Sequence, residues 1–317
     1  MNKSNTVIIA SSNPAHLANI LAAFEAEGIP TATVEAEYGD VLVSGSWATL
    51  AHHGSRSHLP CPCIEANRLD TPAELVVGIS HLDLDTLGGV LSLLGSKPEA
   101  ETFWAAAARV DVEGPHMLPL ITTDPAVLAQ LNAFWAWSEG NRLLLPRDGA
   151  AVDVTQEIMV AAEAVAKILG GDSTLLEAGI AWATGKEALD KASLRFEAGG
   201  LQYRVAEGWV NHLYGTETKA ILGYNPKTKK VTLSFVDEVA AGHFDAGKLL
   251  QGFFGPAAGG RKCGAGGPRD LSIEPWKAHF VATAIAARIS GRDICLYCGT
   301  DTTDQRQGHD CCNCGSN

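Results

Sequence analysis

Hydrophobic positions in the first two thirds of the chain switch repeatedly between strand-like and helix-like spacing. Short apolar runs predict strands at residues 6–10, 31–36, 40–44 and 76–79. Apolar residues three and four positions apart predict helices after the first run and at residues 86–94, 99–108, 125–138, 157–169 and 173–196. Such alternation is typical of an α/β domain with a parallel sheet, in which the run at 76–79 is predicted to be a central strand.

The pattern changes after Gly199 and Gly200, which end the long helix. Two strand regions with a hairpin turn at residues 225–228 come first, then a helix at 244–254, a glycine-rich stretch and a last helix at 276–289. We therefore predict a parallel-sheet α/β domain with a smaller α+β second domain and a short C-terminal lobe. Their predicted ranges are residues 1–198, 199–290 and 291–317.

Composition narrows the class of protein. The chain has 317 residues, 46% of them hydrophobic, and no apolar run of membrane-spanning length. This predicts a cytoplasmic globular protein without a membrane partner. The net charge is −12, from 24 basic and 36 acidic residues. Because such a field repels a long polyanion, a long duplex nucleic acid is an unfavourable partner.

Cysteines concentrate at the C-terminus, where five of the eight lie between residues 295 and 314. Cys295 and Cys298 form one Cys-x-x-Cys pair, and Cys311 and Cys314 form a second one. Four thiolates at this spacing satisfy tetrahedral Zn²⁺ and predict a structural zinc ribbon. Cys312 is an alternative to Cys311 as the third ligand.

A concentration of metal-binding residue types follows the run at 76–79. His81, Asp83 and Asp85 alternate there, and Gly88 and Gly89 come next. In an extended loop the two carboxylates would share a face, where they repel each other unless a cation lies between them. The simpler alternative is that Asp85 caps the following helix.

A second concentration lies earlier, at residues 52–63. It contains His52, His53, His58, Cys61 and Cys63. Three interpretations stay open: a solvated loop with packed thiols, ligands that complete a metal centre with the first group, or a separate zinc enzyme built on this segment. Asp111, predicted to follow a strand, is a candidate bridging carboxylate, and either Asp148 or Asp153 would be a further one.

The glycine-rich stretch at residues 255–269 can expose backbone N–H groups to phosphate oxygens. Its predicted substrate-binding residues are Gly259, Gly260, Arg261, Lys262 and Gly266. The positive side chains would add charge-assisted hydrogen bonds. A flexible surface loop is the alternative.

Three of these segments resemble motifs of the DHH phosphoesterase superfamily. The pattern H-x-D-x-D-x-x-G-G at residues 81–89 resembles its motif I. Residues 50–55, Leu-Ala-His-His-Gly-Ser, look like a degenerate motif III, although Ala51 stands where the family has Asp and the segment precedes motif I, as a circular permutation would require. Residues 259–267 resemble the glycine signature of the DHH-associated domain, with Arg261 in place of His and Gly264 in place of the first Ala.

The resemblance implies a metal-dependent phosphoesterase that uses a metal-activated water, with His53 and Asp83 as catalytic residues. One or two Mn²⁺ or Mg²⁺ ions would be held by His52, His81, Asp83, Asp85 and Asp111. The implied substrate is a small phosphorylated nucleotide or a very short oligonucleotide. The alternative function is a non-catalytic nucleotide or RNA-end binding module with a structural zinc. The oligomeric state is left open, with a homodimer among the alternatives.

Overall fold

The computed structural model of the chain describes residues 5–38, 41–146, 148–208, 218–236, 238–260, 262–268 and 270–292. The chain divides into two compact units. The first comprises Met1–Val112 and Pro119–Thr184, and the second comprises Glu113–Leu118 and Gly185–Asn317. The predicted boundary at residue 198 lies further along the chain than the division between Thr184 and Gly185. The predicted zinc-binding cysteines lie outside the described residues.

The first unit alternates strands and helices, as the hydrophobic pattern predicts. Its strands are β1 Asn5–Ala10, β2 Thr31–Val34, β3 Glu37–Tyr38, β4 Val41–Leu42, β5 Ala48–Leu50, β6 Glu74–Ile79 and β7 Val152–Asp153. Its helices are α1 Pro14–Ala26, α2 Leu84–Leu93, α3 Glu101–Glu113, α4 Leu118–Ile121, α5 Pro125–Gly140, α6 Thr155–Leu169 and α7 Ser173–Ala192, with the ends of α3, α4 and α7 in the second unit.

Five of these strands form one sheet, in the order β5-β2-β6-β1-β7. The first four are parallel and β7 is antiparallel to β1. The predicted α/β class with a parallel sheet is confirmed, and β6 is its central strand. Gly78 in β6 allows α1 to approach closely, because a Cβ there would lie 3.0 Å from Leu21 and 3.1 Å from Leu17.

Helix α2 is buried along its whole length. Gly88 and Gly89 face a short 3₁₀ turn, Pro62–Ile64, and a Cβ on Gly89 would lie 2.6 Å from the Pro62 Cβ. Two consecutive glycines are therefore needed for this turn to lie against the helix.

The second unit contains a six-stranded sheet in the order β12-β13-β11-β10-β9-β8. Its strands are β8 Leu194–Ala198, β9 Leu201–Val205, β10 Ala220–Asn225, β11 Lys230–Phe235, β12 Gly259–Gly260 and β13 Gly264–Gly266. Its helices are α8 Glu238–Ala241, α9 Ala246–Phe254 and α10 Pro275–Ile289. Apolar residues of β10, β11, α9 and α10 form its core.

Two element predictions were wrong. The helix predicted at 173–196 ends at Ala192, and β8 begins at Leu194 and pairs antiparallel with β9 across Gly199 and Gly200. The helix predicted to end at 108 continues to Glu113 as α3. Among the described residues, none of the helices combines the length and the hydropathy that a membrane crossing requires.

Candidate metal centre

Three neighbouring parallel strands of the first unit end in line, and each delivers polar residues to the same edge of the sheet. The register pairs Val34 at the end of β2 with both Leu50 of β5 and Ile79 of β6. Glu35 follows β2, His52 and His53 follow β5, and the loop with His81 follows β6. The carboxyl edge of a parallel sheet is where α/β proteins hold their ligands.

His52 lies at the centre of this group and is buried. Its Nε2 atom is 3.0 Å from Asp111 Oδ2, 3.3 Å from Asp85 Oδ2 and 3.9 Å from Glu35 Oε1. Ligand atoms about 2.1 Å from a shared ion lie roughly 3 Å from one another in octahedral geometry. The nitrogen and the two nearer oxygens therefore have the spacing of metal ligands.

The atoms concerned are His52 Nε2 and three carboxylate oxygens near it, Glu35 Oε1, Asp85 Oδ2 and Asp111 Oδ2. All four are buried, and none makes a hydrogen bond of good geometry within the described part of the chain. Buried polar atoms without partners are rare because desolvation makes them costly. His52, Asp85 and Asp111 belong to one group close enough to share a cation, and Glu35 belongs to a second group with His52 and His53.

The electrostatics of the group have the same origin. Burial opposes a charge on His52, but the carboxylates of Asp111 and Asp85 outweigh it and hold the pKa of His52 well above its usual range. Burial, together with the charges of Asp85 and Glu37, raises the pKa of Glu35, and the hydrogen bond from His53 partly offsets that rise. The pKa values of His52 and Glu35 are therefore raised because several carboxylates lie close together in a site with little solvent.

His53 is the more exposed histidine, with 33% of its side chain accessible. Its Nε2 lies 3.1 Å from Glu35 Oε2 and 3.7 Å from Asp111 Oδ2, and its backbone N–H donates to Glu37 Oε1 at 3.1 Å. The hydrogen bond to Glu35 raises the pKa of His53. Glu35 thus contacts both histidines, whereas His53 alone of the two reaches solvent.

His81 and Asp83 contact each other rather than His52. His81 Nε2 is 3.0 Å from Asp83 Oδ2, and the Thr86 N–H donates to Asp83 Oδ1. Asp83, not Asp85, is therefore the N-cap of α2. The expectation that both carboxylates share a face was wrong, because the period-two alternation stops where α2 begins at Leu84.

Asp111 lies in the last turn of α3, not after a strand as predicted. The structure nevertheless brings it to His52, as the predicted ligand set requires. Asp148 and Asp153, the candidates for a further carboxylate, instead accept hydrogen bonds from the N–H groups of Ala150 and Thr155. Glu35 is the additional carboxylate of the site, and the sequence analysis did not single it out.

Cys61 and Cys63, the described cysteines of this unit, each contact a candidate metal ligand. Cys61 Sγ lies 3.6 Å from His52 Nδ1, and the backbone N–H of Cys63 donates to Asp85 Oδ1 at 2.9 Å. Cys61 also belongs, with His52, Asp85 and Asp111, to one group of side chains close enough to share an ion. His58 is exposed and lies outside the groups found among the described residues.

The predicted phosphate loop of the second unit is a short hairpin at the edge of its sheet. Gly259 in β12 pairs with Gly266 in β13, and the Lys262 carbonyl accepts from the Ala246 N–H at the start of α9. A Cβ at Gly266 would meet nothing within 4 Å. Arg261 lies outside the described residues, so phosphate binding by this hairpin stays a prediction.

Comparison with known proteins assigns this chain to no family. No family model matches the chain, and no curated protein matches it. Among solved structures, the chain is similar to an uncharacterized protein from Helicobacter pylori G27, with 13% sequence identity, 88% of this chain and 87% of that chain covered, and a TM-score of 0.20. A likeness at that score carries no argument, so the resemblance to the DHH superfamily depends on the motifs of this sequence alone.

Proposed function

We propose that this protein is a metal-dependent phosphoesterase that hydrolyses a small phosphorylated nucleotide or a very short oligonucleotide. The observation that carries the proposal is the convergence of His52, Asp85 and Asp111, which come from three separate segments of the chain, with their buried facing atoms unpartnered. All three belong to the ligand set that the DHH resemblance implies.

The donor set favours Mn²⁺. Carboxylate oxygens suit Mg²⁺ and Mn²⁺, whereas an imidazole nitrogen is a poorer ligand for Mg²⁺. Three carboxylates and one or two imidazoles therefore fit Mn²⁺ better than Mg²⁺, which stays the alternative. When bound, the ion supplies Lewis-acid activation of a water molecule and stabilises charge on the phosphoryl oxygens.

Glu35 removes one objection to catalysis. In the DHH family a carboxylate precedes the paired histidines, and here Ala51 stands at that place. Glu35 places a buried carboxylate beside both histidines from the neighbouring strand. The departure from the family motif therefore need not mean a lost ligand.

The chain's own groups divide into two roles. Asp85, Asp111 and His52 would hold the ion through buried atoms. His53 is the more exposed histidine and contacts Glu35, and it can donate a hydrogen bond to a phosphoryl or leaving oxygen. Lys262 and the glycine hairpin stay the predicted phosphate-binding residues of the second unit. The charge of −12 favours a short substrate over a long one.

The test is phosphate-ester hydrolysis in Mn²⁺, measured on a panel of dinucleotides and nucleoside monophosphates. Asp85→Asn keeps the side-chain volume and removes the charge, and Asp70→Asn makes the same change at an exposed position of the same unit. Outer-shell partners of metals are worth about 10- to 100-fold, so we expect Asp85→Asn to lose at least that much activity and Asp70→Asn to lose none.

Asp83→Ala is a less informative variant. It removes the N-cap of α2, which costs about 1 kcal/mol of stability whatever else Asp83 does. No turnover on any substrate, together with measurable nucleotide binding, would contradict the phosphoesterase proposal and support a binding module.

A further inference from the structure

The segment Cys61-Pro62-Cys63 lies behind the candidate metal centre and has no part in the chemistry proposed above. Cys61 and Cys63 are both buried, and the 3₁₀ turn that begins at Pro62 packs against α2 at Gly88 and Gly89. Buried thiols in a globular protein are usually small hydrophobes. These two, however, are placed against the metal-ligand candidates.

The segment Cys61–Cys63 contacts one side-chain atom in each of two candidate ligands. In each ligand this is the outer atom, the one that does not face the ion site. Cys61 Sγ lies 3.6 Å from Nδ1 of His52, and the Cys63 N–H donates to Oδ1 of Asp85 at 2.9 Å. The inner atoms, His52 Nε2 and Asp85 Oδ2, lie 3.3 Å apart and are buried without hydrogen-bond partners. Each ligand therefore has one atom held by the turn and the other atom directed at the ion site.

The direction of the hydrogen bonds at Cys61 follows from a second contact. The Cys61 thiol donates to the carbonyl oxygen of Ala108 at 3.6 Å. With its proton engaged there, the sulfur can only accept from His52, so Nδ1 carries a hydrogen and Nε2 is the nitrogen left to present a lone pair once the ring is neutral. Metal-binding histidines characteristically donate their second N–H to an outer partner, which sets the tautomer and the ring orientation.

We propose that the Cys61–Cys63 turn is the outer shell of the metal centre and that Cys61 is a positioning residue, which holds His52 with its Nε2 lone pair directed at the ion. The inference depends on the proposed metal centre. A carboxylate or a backbone carbonyl is the usual partner of such a histidine. Here a thiol takes that place, which explains why a cysteine is buried in the same group as Asp85 and Asp111.

The experiment measures Mn²⁺ affinity by calorimetric titration of the full-length protein, with no substrate present. Cys61→Ala removes the acceptor, and Cys61→Ser restores a group that accepts from His52 and donates to Ala108. We expect Cys61→Ala to weaken Mn²⁺ binding by about 10- to 100-fold and Cys61→Ser to recover most of it. Both substitutions shrink the side chain, so a packing role predicts no recovery.

Two controls accompany the titration. Val127→Ala removes a comparable buried side chain in α5 and is expected to lower the melting temperature without changing Mn²⁺ affinity. Asp85→Asn tests the metal centre itself. If Asp85→Asn loses Mn²⁺ binding and Cys61→Ala keeps it, only the role of Cys61 is overturned. If Asp85→Asn also binds normally, the metal centre and this inference are both wrong.

A final measurement separates positioning from direct ligation. With the C-terminal cysteines first saturated with Zn²⁺, Co²⁺ is added to the parent and to Cys61→Ser, and the near-ultraviolet absorption is recorded. We expect no sulfur-to-cobalt charge-transfer band that depends on Cys61. Such a band in the parent alone would overturn the positioning role and make Cys61 a ligand.

Discussion

At the scale of single residues, Glu35 combines a buried carboxylate with an unusual backbone conformation. It is 2% exposed, and its φ angle of 48° lies in the left-handed region that non-glycine residues seldom occupy. Such a conformation costs on the order of 1–3 kcal/mol and persists only where the surroundings impose it. Strain and burial at a carboxylate beside two histidines are typical of a functional site.

The protonation of His52 leads to a prediction about pH. Because Asp111 and Asp85 raise its pKa despite burial, we expect His52 to hold a proton at neutral pH in the protein without bound metal. An ion can bind only after that proton leaves. We expect Mn²⁺ binding at pH 7 to release about one proton from His52, and the affinity to rise about tenfold per pH unit while that exchange is the only one.

Calorimetry in two buffers of different ionisation enthalpy measures the release directly. The raised pKa of Glu35 would add to the release if that carboxyl also retains its proton. Binding without any release would show that His52 is neutral or is not a ligand. Wherever binding releases a proton, acidification weakens Mn²⁺ affinity.

At the scale of elements, the contact between α2 and the Cys61–Cys63 turn depends on glycine. A Cβ on Gly88 would lie 2.5 Å from the Cys63 Cβ and 2.7 Å from its Cα. We expect Gly88→Ala to displace the turn, to cost about 1–3 kcal/mol of unfolding free energy and to weaken Mn²⁺ binding. Chemical denaturation and the Mn²⁺ titration together check both effects.

Gly185 in α7 is the matched control, since a Cβ there would meet nothing within 4 Å. Alanine is a better helix former than glycine by roughly 1 kcal/mol, so Gly185→Ala should stabilise or leave stability unchanged. Equal stability of the two variants would mean that the turn yields without cost and that its packing does not support the site.

At the scale of the whole molecule, two metal sites of different chemistry are predicted, one in the first unit and one in the C-terminal cysteines. We expect elemental analysis to find about one tightly held zinc per chain, lost in Cys295→Ser and retained in Asp85→Asn. Exchangeable Mn²⁺ is expected to be retained in Cys295→Ser and lost in Asp85→Asn. A second zinc that Asp85→Asn removes would instead favour the zinc enzyme built on residues 52–63. The zinc ribbon and the cytoplasmic location stay predictions.

Local pattern was sufficient for much of the fold. Apolar runs indicated the main strands and most helices of the first unit, because burial imposes a period of about 2 or 3.6 wherever one face is covered. Local pattern failed where a strand-like alternation occurs within a helix. The alternation Val110-Asp111-Val112 suggested an extended end, yet helix α3 continues through it, since the alanines before it favour helix.

By itself, the sequence determined the α/β class of the first unit and predicted three members of the candidate metal centre, His52, Asp85 and Asp111. Only the tertiary structure decided that Glu35 joins them, that Asp83 caps a helix and that Cys61 lies behind His52. The physical reason is that the candidate ligands come from segments far apart in the sequence. The register of β5, β2 and β6 and the placement of α2 and α3 bring them together, and no local periodicity records which residues of distant segments meet.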